Sequence, residues 1–271
     1  MVSVCIPTYR GAAHLASTID SVLTQTFTDF ELIIVDDNSP DDTAGIVARY
    51  ADPRIRYLRN ASNLGLQGNW NRCLEEASGK YLKLLPQDDT LKPDCLAQQV
   101  AILEEDRQAR VAIVFCARDI VGPDNRVLMR RGLPGGEQGP ISGPALVRRC
   151  VRHGTSLLGE PGAVLFRNAL AQHVGRFDKA YRYVFDLDYW FRALAVCDAY
   201  YLPQPLASFR VWSGSESVAI GRGQANDFCK LITTFAARSE YAISSSDCAL
   251  GYCMANINML LRLIFYRLHL K

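Results

Sequence analysis

The sequence predicts an α/β fold in which helices flank a mostly parallel central sheet, and two observations in its first third support this. Apolar segments typical of strands alternate with helical segments, and the joins between them are short. This pattern is typical of a parallel sheet covered by helices. The second strand, 30–35, is apolar almost throughout, as expected for a strand buried on both faces. We therefore expect a Rossmann-like half at the beginning of the chain.

The individual elements follow from the same pattern. Strands are expected at 2–6, 30–35, 55–58, 81–85 and 111–115, and helices at 12–25, 41–50, 67–76 and 93–105. Residues 122–162 are rich in Gly, Pro and Arg, and we expect a substrate-facing excursion there rather than a second core. Strand character returns at 163–166, a helix follows at 186–196, and the chain is helical from 224 onward.

The bulk composition restricts the kind of protein. A chain of 271 residues with 49% hydrophobic and 21% charged residues is ordinary for a globular protein, and a net charge of +2 argues against nucleic-acid binding. Nine cysteines without metal-ligand spacing are expected to be reduced, mostly buried thiols of a cytoplasmic protein. No segment is expected to span a membrane. No Gly-x-Gly-x-x-Gly motif follows the first strand, which argues against a dinucleotide cofactor.

Two adjacent aspartates, Asp88 and Asp89, follow the fourth strand. In open α/β sheets, ligands bind just beyond the carboxyl ends of the strands. Paired carboxylates there suit a divalent cation, Mn²⁺ or Mg²⁺, which needs few protein ligands when it also binds phosphates. The structural alternative is a turn in which an aspartate caps the next helix. Either aspartate can be the metal ligand.

A set of motifs resembles the family 2 glycosyltransferases, which have the GT-A fold. The matching motifs are VCIPTY (4–9), SVLTQTF (21–27), LIIVDDNS (32–39), NLG (63–65), ASGKY (77–81), QDD (87–89), GEP (159–161), GRFD (175–178) and DLDYWFR (186–192). They occur in the family's order between residues 1 and 217, so the resemblance is specific. Two positions depart from the family pattern: Pro86 replaces the first acid of an Asp-x-Asp-Asp turn, and Trp212 replaces a histidine.

The resemblance implies a metal-dependent, inverting glycosyltransferase in surface polysaccharide assembly. It would move a sugar from a nucleotide-diphosphate donor, with UDP or dTDP favoured, to a saccharide or lipid-linked acceptor. A nucleotide-sugar binding half (1–116) and an acceptor-binding half (117–217) would form one GT-A domain, followed by a C-terminal helical extension (218–271). Two alternatives stay open: a nucleotidyltransferase acting on sugar phosphates, and a non-catalytic nucleotide-sugar binding subunit.

Glycosyl transfer needs a base for the acceptor hydroxyl, and a carboxylate partly shielded from water suits this role. Asp186 and Asp188 are two residues apart, so on a helix they point about 200° from each other and only one can face the site. Asp186 has the family's spacing to Arg192 and is the expected base. Asp188 is expected to support it or to stabilise the start of the helix. The alternative for both is a surface position in the first helical turn.

The ends of the first strands supply the expected nucleotide site. Tyr9 can stack on a base, and Asp37 can accept a hydrogen bond from a base N–H, whereas Asp36 is expected to be structural. A helix-capping role is the alternative for Asp37. The full expected nucleotide-binding set is Pro7, Thr8, Tyr9, Asp37, Asn63, Gly65, Gly68, Gln87 and Asp88.

The expected acceptor-binding residues are Glu160 and Trp212, with a solvated loop acid and a core side chain as the respective alternatives. The four histidines show no ligand spacing, and no histidine site is expected.

The C-terminal segment is expected to be a helix with one polar stripe, formed by Asn258, Arg262, Tyr266 and His269. Apolar residues cover much of the remaining circumference and are expected to be buried. They can pack on the catalytic domain, on a second copy in a homodimer, or in a membrane interface. Packing within protein is favoured. The expected location is the cytoplasm, with peripheral contact at the inner membrane face as the alternative.

Overall fold

The central element of the computed structural model, which describes residues 1–135, 138–221 and 223–270, is a ten-stranded sheet. The strands are β1 (Val2–Thr8), β2 (Phe30–Asp36), β3 (Ile55–Arg59), β4 (Tyr81–Leu84), β5 (Thr90–Leu91), β6 (Val111–Val121), β7 (Val127–Arg131), β8 (Gly139–Ile141), β9 (Val164–Arg167) and β10 (Asp198–Arg210).

The helices are α1 (Leu15–Leu23), α2 (Thr43–Val47), α3 (Leu66–Glu76), α4 (Cys95–Glu105), α5 (Gly143–His153), α6 (Asn168–Val174), α7 (Phe185–Leu194), α8 (Glu216–Ile220), α9 (Gly223–Ala236) and α10 (Ser245–His269). Two short 3₁₀ helices cover Pro161–Ala163 and Ser239–Tyr241.

The sheet order is β3-β2-β1-β4-β9-β6-β10-β5, with β7 beside β6 and β8 beside β10. The first four strands are parallel to one another, and β10 is parallel to β6. β9 lies antiparallel between β4 and β6 and joins the two halves. The predicted α/β class, with a central, mostly parallel sheet flanked by helices, is confirmed.

Both faces of the sheet are buried, because successive strand residues point to opposite sides. Ile33 and Val35 of β2 pack in one core with side chains of α3, α5, α7 and α9. Leu32 and Ile34 pack in the other core with α1, α2 and α4. Each fully buried aliphatic side chain of this kind contributes about 1.5–3 kcal/mol. The near-continuous apolar run that predicted this strand thus reflects its two-sided burial.

Three features of the second half differ from the expectation. β6 continues through Cys116 to Val121, so the boundary expected at 116/117 falls inside a strand. The expected excursion at 122–162 contains α5, which has proline near its start and a left-handed Gly154 as its cap. Its side chains Leu146 and Val147 are fully buried, so this stretch belongs to the core. β10 was not expected, because Pro203 and Pro205 interrupt it where its register shifts.

The first half of α10 is docked on the protein. Its N-cap Ser244 and Asp247 form a capping box. Asp247 also forms ion pairs with Arg148 and Arg152 of α5, each at 2.7 Å. Burial raises the pKa of Asp247, but its hydrogen bonds and ion pairs outweigh this and hold the pKa far below the usual range. Gly251 packs so closely that a Cβ there would lie 2.5 Å from the Val151 carbonyl oxygen.

The second half of α10 is oriented opposite to the expectation. Its polar stripe faces the protein: Asn258 donates to the His153 carbonyl at 2.7 Å, and Arg262 donates to Gln224 at 2.8 Å. The apolar side is exposed, with exposed fractions of 52%, 58%, 57% and 69% for Leu260, Leu261, Ile264 and Leu268. The prediction that this apolar surface is buried within the chain is therefore wrong.

One helix bears on the expectation that no segment spans a membrane, by its length and composition alone. Among the described residues, α10 has the length and hydropathy of a membrane span. Its most apolar segment has a mean hydropathy of 1.5, and 17% of that segment is buried.

The nine cysteines are free, and five of them are buried.

Candidate active site

A cavity of about 1060 Å³ lies where β1, β2 and β4 end, close to the upper size of small-ligand sites. Residues that follow these strands form one side of it. Side chains of β6, α7 and α10 form the other side. Of the expected nucleotide-binding residues, the cavity is lined by Pro7, Thr8, Tyr9, Asp37, Asn63, Gly65, Gln87 and Asp88.

Gly68 is the expected nucleotide-binding residue that does not line the cavity. It lies in the first turn of α3, and a Cβ there would come within 2.8 Å of the Leu64 Cβ. Its position therefore lets the preceding loop approach the helix closely. Gly65, with φ of 77°, gives that loop a left-handed turn that glycine adopts without strain.

Asp37 holds the loop before α3 in place. Its carboxylate accepts hydrogen bonds from the backbone N–H groups of Leu64 and Gly65 at 2.7 and 2.9 Å and from Asn60 at 2.8 Å. A carboxylate has about four acceptor positions, so one remains for a further donor. Asp36 is fully buried and accepts from Ser39 and Tyr57, which agrees with the structural role expected for it.

Gln87 acts on the loop after β1. Its side chain accepts from the Tyr9 backbone N–H at 2.9 Å and donates to the Tyr9 carbonyl at 3.1 Å. The Tyr9 ring is 40% exposed beside the cavity. The turn after β4 and the loop after β1 are thereby joined directly.

The adjacent aspartates lie in different environments. Asp88 lines the cavity, whereas Asp89 is 2% exposed and accepts a hydrogen bond from the Arg210 backbone N–H at 3.0 Å. Burial, followed by the charge of Asp88, raises the pKa of Asp89 well above its usual value. The geometry therefore offers Asp88 to a ligand and gives Asp89 a bond that attaches the turn to β10.

Trp212 lines the cavity and contacts this turn, and its role in acceptor binding stays a prediction. Its indole Nε1 donates to Asp88 Oδ2 at 2.8 Å, and its ring meets His14 edge-on with centroids 4.8 Å apart. Burial and the charge of Arg210 lower the pKa of His14, against the effect of Asp88. His14 is thus part of the surroundings of Asp88, although its spacing in the sequence gave no sign of it.

The residues present fit a divalent metal held mainly by substrate. The described residues include no group of three or more His, Cys, Asp or Glu side chains suited to a metal. Asp88 has one oxygen bonded to Trp212, and its other oxygen has no protein partner among the described residues. One carboxylate oxygen with phosphates and water is sufficient for Mg²⁺ or Mn²⁺.

The two acids of α7 point in different directions, as their spacing requires. Asp186 lines the cavity, and its carboxylate accepts from the Leu187 N–H at 2.8 Å. Burial raises the pKa of Asp186 to about 7, and the nearby Glu160 charge acts in the same direction. Asp188 is buried away from the cavity and pairs with Arg192 at 2.9 Å. A carboxyl that titrates near neutrality suits a general base.

Glu160 forms an ion pair with Arg118 of β6, with Nε and Oε2 2.5 Å apart. Burial raises the pKa of Glu160, but Arg118 outweighs this, so the pKa lies below its usual range. Gly159 makes the approach possible, because a Cβ at its φ of 90° would lie 2.9 Å from the Arg118 guanidinium. Arg118 is 4% exposed, and a lone arginine in a buried strand was a signal for such a pair.

Sequence reasoning missed three further side chains that line this part of the cavity: Arg131, Tyr183 and Arg262. Arg262 donates to the Tyr183 hydroxyl and lies over its ring at 5.5 Å. Arg262 was expected only as part of the polar stripe of the C-terminal helix. The three residues come from segments far apart in the sequence, so no local motif marks them as parts of one site.

The cavity at the strand ends is thus lined by Asp88, which has a carboxylate oxygen without a protein partner among the described residues, and by Asp186, whose pKa is raised to about 7. The family model described as "Glycosyl transferase family 2" matches residues 3–173. "Uncharacterized protein MT1568" of Mycobacterium tuberculosis is 34% identical over 226 residues, covering 81% of this chain and 70% of that protein. The chain belongs to glycosyl transferase family 2 and is a glycosyltransferase.

Other relatives and solved structures agree with this assignment. "Uncharacterized glycosyltransferase RP339" of Rickettsia prowazekii is 28% identical and covers 93% of this chain and 84% of that protein. An Escherichia coli protein, "UDP-Glc:alpha-D-GlcNAc-diphosphoundecaprenol beta-1,3-glucosyltransferase WfgD", is 34% identical over 103 residues, 38% of this chain and 41% of its own.

Two solved structures share the fold. TarS of S. aureus in complex with UDP-GlcNAc superposes with a TM-score of 0.71 at 18% identity, covering 100% of this chain and 76% of that one. The mannosyltransferase PcManGT of Pyrobaculum calidifontis, in complex with GDP-Man and Mn²⁺, has a TM-score of 0.65 at 16% identity, covering 98% and 74%. The fold is therefore that of GT-A glycosyltransferases.

Proposed function

We propose that the protein is a metal-dependent, inverting glycosyltransferase that uses a UDP- or dTDP-sugar and a saccharide or lipid-linked acceptor in surface polysaccharide assembly. The observation that carries this proposal is the position of Asp186, a cavity-lining carboxyl whose pKa is raised to about 7. The donor complex of TarS and the acceptor in the name of WfgD support the substrate classes.

In this reaction the acceptor hydroxyl attacks the anomeric carbon from the side opposite the leaving group. The carboxylate of Asp186 takes the hydroxyl proton as the new C–O bond forms, and the bond to the nucleoside diphosphate breaks, with its electron pair leaving on the phosphate oxygen. A single displacement inverts the anomeric configuration. Glu160 is expected to face the acceptor, and its charge helps to hold the pKa of Asp186 near neutrality.

The donor is expected to lie between the ends of β1 and β2 and the turn after β4. Tyr9 is 40% exposed and offers a face for the base, and the remaining acceptor position of Asp37 suits a base N–H. Asp88 is the residue that would hold Mn²⁺ or Mg²⁺, which as a Lewis acid offsets the charge of the departing diphosphate.

We propose a cytoplasmic location with α10 against the inner face of the membrane. The exposed leucines and isoleucine of α10 support this, since Leu261, Ile264 and Leu268 also line the cavity. A lipid-linked acceptor would then enter from the side on which the apolar residues lie. A homodimer through the same helix is the alternative.

The test of the proposed function is donor hydrolysis and transfer with purified protein. With Mn²⁺ and a panel of UDP-, dTDP- and GDP-sugars, we expect slow release of a nucleoside diphosphate, abolished by Asp186→Asn. A non-catalytic binding subunit would bind donors without releasing the diphosphate. A nucleotidyltransferase would instead release pyrophosphate from a nucleoside triphosphate and a sugar phosphate.

A further inference from the structure

Three arginines line the cavity near Glu160 and Asp186, away from the residues that follow β1 and β2. Arg118 and Arg131 are directly opposite each other on the antiparallel strands β6 and β7, so their side chains leave the same face of the sheet. Arg262 reaches the same region from α10. All three line the cavity.

Among the described residues, the three arginines of this cluster, Arg118, Arg131 and Arg262, form an ion pair with a single carboxylate. Like charges directly opposite on paired strands are destabilising. The next pair along the same two strands, Asp119 and Arg130, shows the usual solution, an ion pair at 3.0 Å. In the cluster, Glu160 is the carboxylate that forms an ion pair, and Arg118 is its partner.

Nitrogen atoms of the cluster have unused donor capacity. Within the described residues, Arg118 bonds through Nε alone, and the Arg131 side chain has neither a hydrogen bond nor an ion pair. The partners of Arg262, Tyr183 and Gln224, are uncharged, and its Nε is buried without a hydrogen-bond partner in the described part of the chain. A buried guanidinium N–H without a partner costs free energy unless a ligand satisfies it.

The charges of these groups influence one another. Burial lowers the pKa of Arg131, and the charges of Arg118 and Arg262 lower it further, against the effect of Glu160. Arginine remains charged in proteins nonetheless. The cluster therefore presents three cations against one carboxylate that pairs with them.

We infer that the arginine cluster is an anion subsite for a phosphate or phosphodiester group carried by the acceptor, distinct from the diphosphate of the donor. A phosphate has several acceptor oxygens and a charge of about −1.5 to −2, which matches three converging guanidinium groups better than a single carboxylate does. The subsite lies beside Glu160 and Asp186. A phosphate bound there would hold the acceptor with its hydroxyl near the base.

The position argues for the acceptor rather than the donor. Asp88, which is proposed to hold the donor's diphosphate through a metal, follows β4, whereas Arg118 lies on β6, and β9 separates these two strands. Two strand spacings amount to roughly 10 Å. The inference deepens the proposed function and rests on it for the word acceptor, but the anion site itself can be tested without any glycosyl transfer.

The test uses inorganic phosphate as the probe and thermal unfolding of the full chain as the readout. Phosphate should raise the unfolding midpoint in a saturable manner, whereas chloride at equal ionic strength should not. In Arg131→Gln and Arg262→Gln we expect at least a tenfold weaker phosphate affinity. Without phosphate, Arg131→Gln should unfold at or above the wild-type temperature, because a repelling charge has been removed. Arg262→Gln also loses the hydrogen bonds of Arg262 to Tyr183 and Gln224, so its response to phosphate is measured from its own unfolding midpoint.

The matched control is Arg182→Gln, which also lines the cavity but already pairs with Glu216 at 2.8 Å. It should bind phosphate like the wild type. Equal affinity in all four proteins, or an equal loss in the control, would overturn the subsite.

A second titration separates the acceptor from the donor. Phosphate is added to protein already saturated with UDP and Mn²⁺, whose binding is verified by its own thermal shift. We expect an unchanged phosphate affinity, because the two sites are separate. Competition between UDP and phosphate would overturn the acceptor assignment. If UDP does not bind at all, the proposed donor is wrong, while the titration without UDP still decides whether the anion subsite exists.

Discussion

Trp212 donates its indole N–H to Asp88 Oδ2 at 2.8 Å, across 124 residues of sequence. An indole N–H is a donor only and cannot bind a metal. It could therefore act on a metal at Asp88 only through this carboxylate, by fixing its orientation, and the other carboxylate oxygen has no protein partner among the described residues. The ring is itself fixed, since a Cβ at Gly214 would lie 2.2 Å from it.

The first prediction concerns this hydrogen bond. Trp212→Phe keeps an aromatic ring but removes the donor, so Asp88 should lose its fixed orientation. Loss of such a partner of a metal-binding carboxylate typically weakens metal binding about 10- to 100-fold. Calorimetric titration of Mn²⁺ into the UDP-bound protein measures the change. Asp124→Asn, at an exposed turn acid, is the control, and an unchanged Mn²⁺ affinity in Trp212→Phe would show that the bond has no such role.

The second prediction separates the two aspartates of the turn. Asp88→Asn should weaken Mn²⁺-dependent donor binding by at least tenfold, because the cavity loses its charged oxygen. Asp89→Asn should change it little, since its raised pKa already favours the neutral form and an amide oxygen can still accept from the Arg210 N–H. Titrations of UDP-sugar with and without Mn²⁺ give both values. A reversed order would assign the metal to Asp89.

Much of the fold followed from the sequence, because β1, β2 and β4 are buried on both faces. That requirement makes β2 apolar over almost its whole length, and the bounds of the first four strands were predicted to within a few residues. The missed elements lack this signal. The prolines at 203 and 205 of β10 are typical of a loop. Only the pairing of β10 with β6 shows that they lie where the register between the two strands shifts.

Part of the candidate site was likewise predictable from the sequence, and part of it was not. Asp88 and Asp186 stand in short motifs, where the two-residue spacing of Asp186 and Asp188 already required that they point apart. Arg118 and Arg131 lie on the consecutive strands β6 and β7, Arg262 lies in the distant α10, and their convergence depends on the register of β6 with β7 and on the docking of α10. The stripe containing Arg262 was visible as a pattern. The side toward which the stripe faces could not be predicted, because an amphipathic pattern does not show which side of a helix contacts the protein.

The third prediction is the pH dependence of transfer. Asp186 can accept a proton only when ionised, and its pKa is about 7. The value of kcat/KM should therefore rise about tenfold per pH unit below pH 7 and level off above it. Initial rates between pH 5 and pH 9 test this. Asp188→Asn should keep the same pH profile, because Asp188 pairs with Arg192 outside the cavity. A flat profile would contradict the assignment of Asp186.

The fourth prediction is a change in stability from the same residue. The pKa of Asp186 is raised in the folded protein from 3.8 to about 7, so the proton stabilises the fold below about pH 4 and this contribution is lost as the pH rises to 7. Asp186→Asn, which is never charged, should unfold at a higher temperature than the wild type at pH 8, with a smaller difference at pH 5.5. Differential scanning calorimetry at both values provides the measurement. A difference that grows toward low pH has the wrong sign and would refute the raised pKa.

The last prediction concerns the exposed side of α10. Leu260, Leu261, Ile264 and Leu268 are each more than half exposed, whereas Asn258 and Arg262 hold the opposite side against the protein. Replacing the four apolar residues by glutamine keeps good helix formers and leaves the docked side unchanged. The variant should therefore fold with an unchanged unfolding temperature at low concentration, and it should be more soluble. Its affinity for vesicles of anionic lipid should fall by at least tenfold, because burial of each leucine contributes about 1.5–3 kcal/mol.

Co-sedimentation with vesicles measures the change in vesicle affinity, and light scattering over a range of protein concentrations measures self-association. Wild-type protein that ignores vesicles but dimerises, with a dimer lost in the variant, would assign the surface to a second copy. Variant and wild type that behave alike in both measurements would show that this side of the helix has neither role.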